Sequence, residues 1–256
     1  MPERPGSAEA EHRGPERLRL SRRGWIGVLA AAGAAWCVAL LLWAQHGIDE
    51  TLARQAAGLD PRGLVVGLAH VASRYGKPVM GVILLVGLVV SVVAQSWPCY
   101  REGYLLTLLS LAISGIAGDL LKELVDRPRP YVVYSALSFA ADASSTWSFP
   151  SGHSTKSVAL ALPFLVFVTG WRGWRGLAKC ALAGLALSVC ASRVVLGAHF
   201  LSDVVGGLAM ALSGLPLAVR ASNSILGRMT ASDLGRAGRI WIGVYAVLIV
   251  ILLKLS

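Results

Sequence analysis

Apolar residues fall in long runs without charge, separated by short polar stretches. The runs cover residues 24–48, 78–100, 103–118, 157–171, 176–192, 204–219 and 240–253, and Lys179 alone interrupts the fifth. A helix crosses the hydrocarbon core with about 20 residues. The first two runs reach that length, and the shorter ones reach it if flanking basic side chains snorkel to the interface. The pattern predicts an all-α polytopic membrane helix bundle of six or seven transmembrane helices. The last run, flanked by Arg239 and Lys254, fits either a seventh span or a helix lying in the interface.

Two segments break the pattern. Residues 1–23 are polar, with Pro2, Pro5, Pro15 and six arginines, and read as a basic, disordered cytoplasmic tail ahead of a membrane-embedded domain over 24–256. Ser21-Arg22-Arg23 faintly resembles a twin-arginine signal. The apolar run behind it is long for a signal and has no small-residue cleavage site after it, so it reads as an uncleaved span. Asp60-Pro61 suits a helix start. The apolar stretch 63–73 is too short to cross alone, so it reads as an interfacial or re-entrant helix. That reading leaves Arg54, Arg62, Arg74 and Lys77 near headgroups and His70 in a packing role.

Composition supports a membrane domain. Hydrophobic residues make up 55% and charged residues 15%, well below the roughly one quarter charged in soluble domains. The net charge of +10 lacks the basic face on a soluble fold that nucleic-acid binding needs. It fits cytoplasmic loops instead. With a cytoplasmic N-terminus, alternating spans place 14 of the 24 basic residues inside and 10 outside, the sense of the positive-inside rule. In a host with two membranes this is an inner-membrane protein. Trp25, Trp43, Trp97, Trp171, Trp174 and Trp241 fall near span ends, as an aromatic belt would. Cys37, Cys99, Cys180 and Cys190 show no metal-ligand spacing and read as packing residues.

Three polar stretches remain, and one topology puts all three at outer ends of spans. In the first, Lys122 and Arg129 lie seven apart on either side of a helix end forced by Pro128 and Pro130. Two such cations can clamp an anion, Arg through a planar fork matched to phosphate oxygens. In the second, Ser151 can cap a helix whose first N–H groups and dipole favour phosphate. Gly152 lets backbone approach there, and His153 stands by as a proton donor. In the third, Arg193 adds a cation, and His199 and Asp203, four apart, share a helical face. A carboxylate against one imidazole nitrogen leaves the other free as a nucleophile. Taken singly, each stretch also reads as an ordinary charged loop, turn or helix end.

Together they resemble the type 2 phosphatidic acid phosphatase superfamily. Eleven positions carry the likeness: Lys122, Arg129, Pro130, Pro150, Ser151, Gly152, His153, Ser192, Arg193, His199 and Asp203. The resemblance implies a metal-free, cofactor-free phosphatase acting on phosphate monoesters or diphosphates, often on lipids. It implies His199 as the nucleophile, Asp203 as its support, and His153 as the acid on the leaving oxygen. Lys122, Arg129, Ser151, Gly152 and Arg193 would hold the phosphate oxygens. The implied substrates are lipid phosphates at the outer face: undecaprenyl diphosphate, phosphatidylglycerol phosphate, phosphatidate or a lipid A phosphate. No obligate protein partner is implied. A transporter or channel fits the composition but leaves the eleven positions unexplained. A haloperoxidase shares the motifs but is soluble, and no signature residue is missing, as an inactive relative would require.

Overall fold

A computed structural model describes residues 18–93, 98–134, 147–167, 173–229 and 231–254. Among them the chain forms α1 (Arg22–Gln45), α2 (Gly47–Ala57), α3 (Leu64–Val93), α4 (Pro98–Val125), a short α5 (Pro130–Val133), α6 (Gly152–Phe167), α7 (Gly173–Val195), α8 (Leu201–Leu226) and α9 (Ala231–Lys254). Five of these, α1, α3, α4, α7 and α8, contain stretches long and apolar enough to cross a membrane. Residues 1–17 of the expected tail lie outside the described residues. From Leu18 onward the chain is tied down: Leu18 N donates to Asn223 Oδ1 at 2.9 Å, and Asn223 Nδ2 donates back to Leu18 O at 3.0 Å. Ser21 caps α1, accepting from Gly24 N at 3.1 Å, as a serine at that position should.

Helices α6 and α8 form the centre. α8 packs on α1, α4 and α6, and α6 also meets α7 and α3, with α9 packed on α3 and, more lightly, on α4. The main core joins Met80, Leu84 and Leu88 of α3, Tyr104 of α4, Leu160 and Phe164 of α6, Leu182 of α7 and Tyr245 of α9. Large apolar side chains such as Leu29, Leu41, Val86, Leu120, Leu187 and Val247 point outward, the arrangement expected of helices whose solvent is lipid. The last apolar run belongs to this bundle. Tyr245 of α9 is fully buried and donates from its hydroxyl to Tyr104 O at 3.0 Å.

Three expectations are corrected. The stretch 63–73 is not a separate interfacial helix, because α3 runs unbroken for 30 residues through Pro78. Proline removes one hydrogen bond, which packed neighbours in a membrane tolerate. Lys77 is therefore not at the headgroups but 2% exposed within the bundle. Asp60-Pro61 makes a turn ahead of α3, with Asp60 Oδ1 accepting from Arg62 N at 2.9 Å. The belt tryptophans also divide. Trp241 lies in the main core, whereas Trp25 lies edge-on to Phe167 near the start of α1. Trp97 and Trp171 lie outside the described residues, as does the side chain of Trp174. Cys37 and Cys180 face outward rather than packing inside, and Cys190 is half-buried.

The contact between α6 and α8 depends on Gly207. A Cβ there would fall 2.7 Å from Ser151 O, 2.9 Å from Ser154 Cβ and 3.0 Å from Thr155 N, so a side chain would push backbone apart. Gly207→Ala is expected to cost about 1–3 kcal/mol through overpacking, read as a lower Tm of the purified protein in detergent. Gly33→Ala on α1, where nothing lies within 4 Å, should leave Tm unchanged or slightly raised.

Candidate active site

All three polar stretches meet at one end of the bundle. α4 stops at Val125, Asp126 turns the chain at φ 54°, and the prolines then hold it extended. This segment pairs with the strand-like stretch ahead of α6: Pro128 bridges Trp147, and Ser148 N donates to Arg127 O at 2.7 Å. Arg129 is thereby buried. Its Nε donates to Trp147 O at 3.2 Å, and one terminal nitrogen stands 3.4 Å from both Ala198 O and His199 Nε2.

The start of α6 is fixed to the start of α8, because Ser151 N donates to Asp203 O at 2.9 Å. The Ser151 hydroxyl accepts from Ser154 Oγ at 3.0 Å and faces Ser154 N at 3.4 Å, the capping role its position suggests. Lys122 reaches across from α4, where a Cβ on Gly152 would lie 3.1 Å from its Nζ. Lys122 also pairs with Asp119 at 3.8 Å, as its one-turn spacing suggests, but Asp119 is half-exposed rather than buried in lipid. The Nε2 of His153 and the Nε of Arg193 are buried without a hydrogen-bond partner.

Arg193 sits in the last turn of α7. Gly197, at φ 63°, reverses the chain so that the N–H groups of Ala198 and His199 both donate to Arg193 O, at 3.0 and 3.1 Å. His199 is therefore placed by a turn before α8, not on a helical face shared with Asp203. Asp203, in the first turn of α8, accepts from Phe200 N at 2.8 Å, the backward reach of an N3 carboxylate. His199 Nδ1 faces Asp203 Oδ2 at 3.6 Å and Ser148 Oγ at 3.3 Å, and Ser148 Oγ donates to the same carboxylate oxygen. Burial, reinforced by Arg129, Arg193 and Lys122, holds His199 well below the usual histidine range. Its ring is neutral at neutral pH, with Nε2 turned toward Arg129. Among the described residues no three His, Cys, Asp or Glu side chains converge as metal ligands.

Four participants escape sequence reading: Ser148, Arg127, Asp49 and Ser202. Arg127 lies buried between Trp43 and Phe200, its guanidinium carbon 4.9 and 4.3 Å from their ring centroids. It donates to Asp203 Oδ1 and Ser202 Oγ at 2.6 Å each, and to Asp49 Oδ2 at 3.0 Å. Asp49 also accepts from Ser202 N at 3.0 Å. These partners lie 75 to 78 residues from Arg127, so no local spacing announces them.

Removing the guanidinium would leave two buried carboxylates unpaired, a loss of about 3–5 kcal/mol. Arg127→Met should therefore lower Tm in detergent markedly. Adding Asp49→Ala should cost less than the sum of the two single losses, as coupled residues do.

Comparison with known proteins points to one family. A family profile described as PAP2 superfamily matches residues 103–225, which contain every motif position. The chain is 35% identical to a lipid A 1-phosphatase of Rhizobium etli over 41% of its own length, and that match spans 44% of the relative. It is 31% identical to phosphatidylglycerophosphatase B of Bacillus subtilis, over 63% of this chain and 77% of the relative. The fold matches the crystal structure of a transmembrane PAP2 type phosphatidylglycerolphosphate phosphatase from Bacillus subtilis. That superposition has a TM-score of 0.50 at 24% identity, covering 81% of this chain and 97% of the other. A multi-pass helical membrane fold, the three motifs gathered at one end of it, and a relative matched over three quarters of its length place this chain in the PAP2 superfamily.

Proposed function

We propose that the chain is an integral membrane lipid phosphatase working through a phosphohistidine at the outer face of the membrane. The observation that carries this reading is the setting of His199. Its neutral ring has Nδ1 against Ser148 and Asp203, and Nε2 opens toward Arg129 beside Lys122, Arg193 and the start of α6. A transferring phosphoryl group needs positioning and charge stabilisation above all. Buried cations and helix N–H groups supply both without reorganising.

In the proposed cycle Lys122, Arg129, Arg193, Ser151 and the Gly152 backbone hold the three non-bridging oxygens. His199 Nε2 forms a bond to phosphorus as the bond to the leaving oxygen breaks. Burial and the neighbouring cations keep His153 neutral in the protein alone; with the anionic substrate beside it the imidazole takes up a proton and gives it to that oxygen. As positive charge builds on His199, Asp203 and Ser148 stabilise it through Nδ1. Water, losing a proton to His153, then attacks phosphorus, releasing inorganic phosphate and restoring His199. No step calls on a metal.

The outer-face assignment rests on charge bias. With the N-terminus inside, the helix alternation brings the site end of α4, α6, α7 and α8 outside. The outward-facing apolar side chains support a substrate whose tails stay in lipid while its headgroup enters the site. Undecaprenyl diphosphate and the phospholipid phosphates are the proposed substrates, with a lipid A phosphate a further one.

Phosphate release from these lipids by the detergent-purified protein tests the reading. His199→Ala should lower kcat by at least about a thousandfold, the scale on which covalent catalysis is lost. Turnover near wild type would remove His199 as nucleophile. His153→Ala should lower kcat by about 100- to 10,000-fold, least for substrates with acidic leaving groups. Activity should persist in EDTA and fall in vanadate, which occupies a phosphoryl pocket. Lipid flux without phosphate release, surviving His199→Ala, would point to transport.

A further inference from the structure

Two cations near the site, Lys77 and Lys156, belong to none of the three motifs. Lys77 of α3 is 2% exposed. Ser73, one turn before it, accepts from Arg193 at 2.5 Å, and residues four apart share a helix face. Lys77 therefore lies on the face of α3 turned to the site. Lys156 stands in the same relation to His153, three residues on in α6, and pairs with Asp119 of α4 at 3.6 Å. Lys77 acts electrostatically on His153, Lys156 and Arg193. The charges acting on His199 are Arg129, Arg193 and Lys122. Lys122, Arg129 and Arg193 thus gather around the nucleophile, and Lys77 and Lys156 form a second tier one turn further along α3 and α6 from Ser73 and His153.

The second tier lies deeper. α3 and α6 both run from the site end toward the middle of the bundle, so Lys77 and Lys156 sit one turn, about 5 Å, below Ser73 and His153. Among the described residues neither Lys77 nor Arg193 is paired with a carboxylate. A buried ammonium beside other cations is costly, so it either gives up its proton or is held charged by an anion that joins it. A lipid substrate enters with its tail toward the bilayer centre, so this tier meets the leaving group rather than the transferred phosphate.

We propose that Lys77, assisted by Lys156, forms a second anion subsite that holds a phosphate in the leaving group, making a lipid diphosphate the preferred substrate class. This rests on the phosphatase reading. The bond from His199 Nε2 to the terminal phosphorus forms as the P–O bond to the bridging oxygen breaks. His153 protonates that oxygen. The lipid monophosphate leaves with its own phosphate against Lys77, and water then frees His199 with release of inorganic phosphate.

The test compares a polyprenyl diphosphate with the polyprenyl monophosphate of the same chain, using full-length protein in detergent. In Lys77→Met the ratio of diphosphate to monophosphate kcat/KM should fall about tenfold or more, the worth of one hydrogen bond to a charged group. Lys156→Gln should shift the ratio the same way by less. An unchanged ratio in a folded Lys77→Met protein would overturn the subsite. A binding readout separates this from failure of the phosphatase reading. Inorganic pyrophosphate should raise the wild-type Tm more than phosphate does, and Lys77→Met should erase the difference even if no lipid is turned over. Equal protection by both anions in the wild type would also overturn the proposal.

Discussion

Arg127 bonds at once to Asp203, Ser202 and Asp49, and the placement of the rest of the site follows from that one buried side chain. Asp203 spends one carboxylate oxygen on Arg127 and the other on Ser148 and the Phe200 N–H. Its position is therefore set from three directions before His199 is considered. Asp49 brings α2 into the same network, and Trp43 and Phe200 close over the guanidinium, excluding water. In so dry a setting an ion pair of this kind persists only when hydrogen bonds satisfy its remaining lone pairs and protons. Two carboxylates on one guanidinium, with two serine hydroxyls sharing the remaining lone pairs, meet that condition.

The proposed phosphate pocket obeys the opposite rule. Lys122, Arg129 and Arg193 converge around His199, with one half-exposed carboxylate, Asp119, at the margin. Excess positive charge at the end of a membrane bundle is electrostatically unfavourable, and it stands only because short, well-packed turns hold it. Gly207 lets α6 close on α8, and Gly197 folds the chain back beneath His199. Burial, reinforced by the same excess, keeps the imidazole neutral, the form its proposed role as nucleophile needs. Structural stability and poised chemistry thus draw on neighbouring networks of opposite character, joined through Asp203.

Much of this architecture is readable along the chain. Charge-free runs mark the spans, and motif residues mark the ends that gather. Some inferences reach the right residues for a different physical reason. His199 and Asp203 do come together, but through a turn and through Ser148, not through helical periodicity. Elsewhere the local pattern misleads. Arg74, Lys77 and Pro78 look like a break between an interfacial helix and a span, yet α3 runs straight through them, because neighbouring helices cover what proline leaves unpaired. Trp241 looks like a belt residue and lies in the core.

The division has a physical basis. Helix formation in lipid is local, since each backbone group must find its partner within the segment. Hydrophobic runs therefore determine the spans, and the fixed spacing within three short stretches is enough to mark the residues proposed to bind phosphate. The partners of Arg127 lie some 75 residues away, and the proposed reach of Lys77 toward the site depends on α3 packing on α6 and α7. Side-chain charge in a buried place is defined by whatever the fold brings beside it. That company is decided by helix packing alone, so only the tertiary structure could turn a loop arginine into the anchor of the site and a boundary lysine into a candidate ligand.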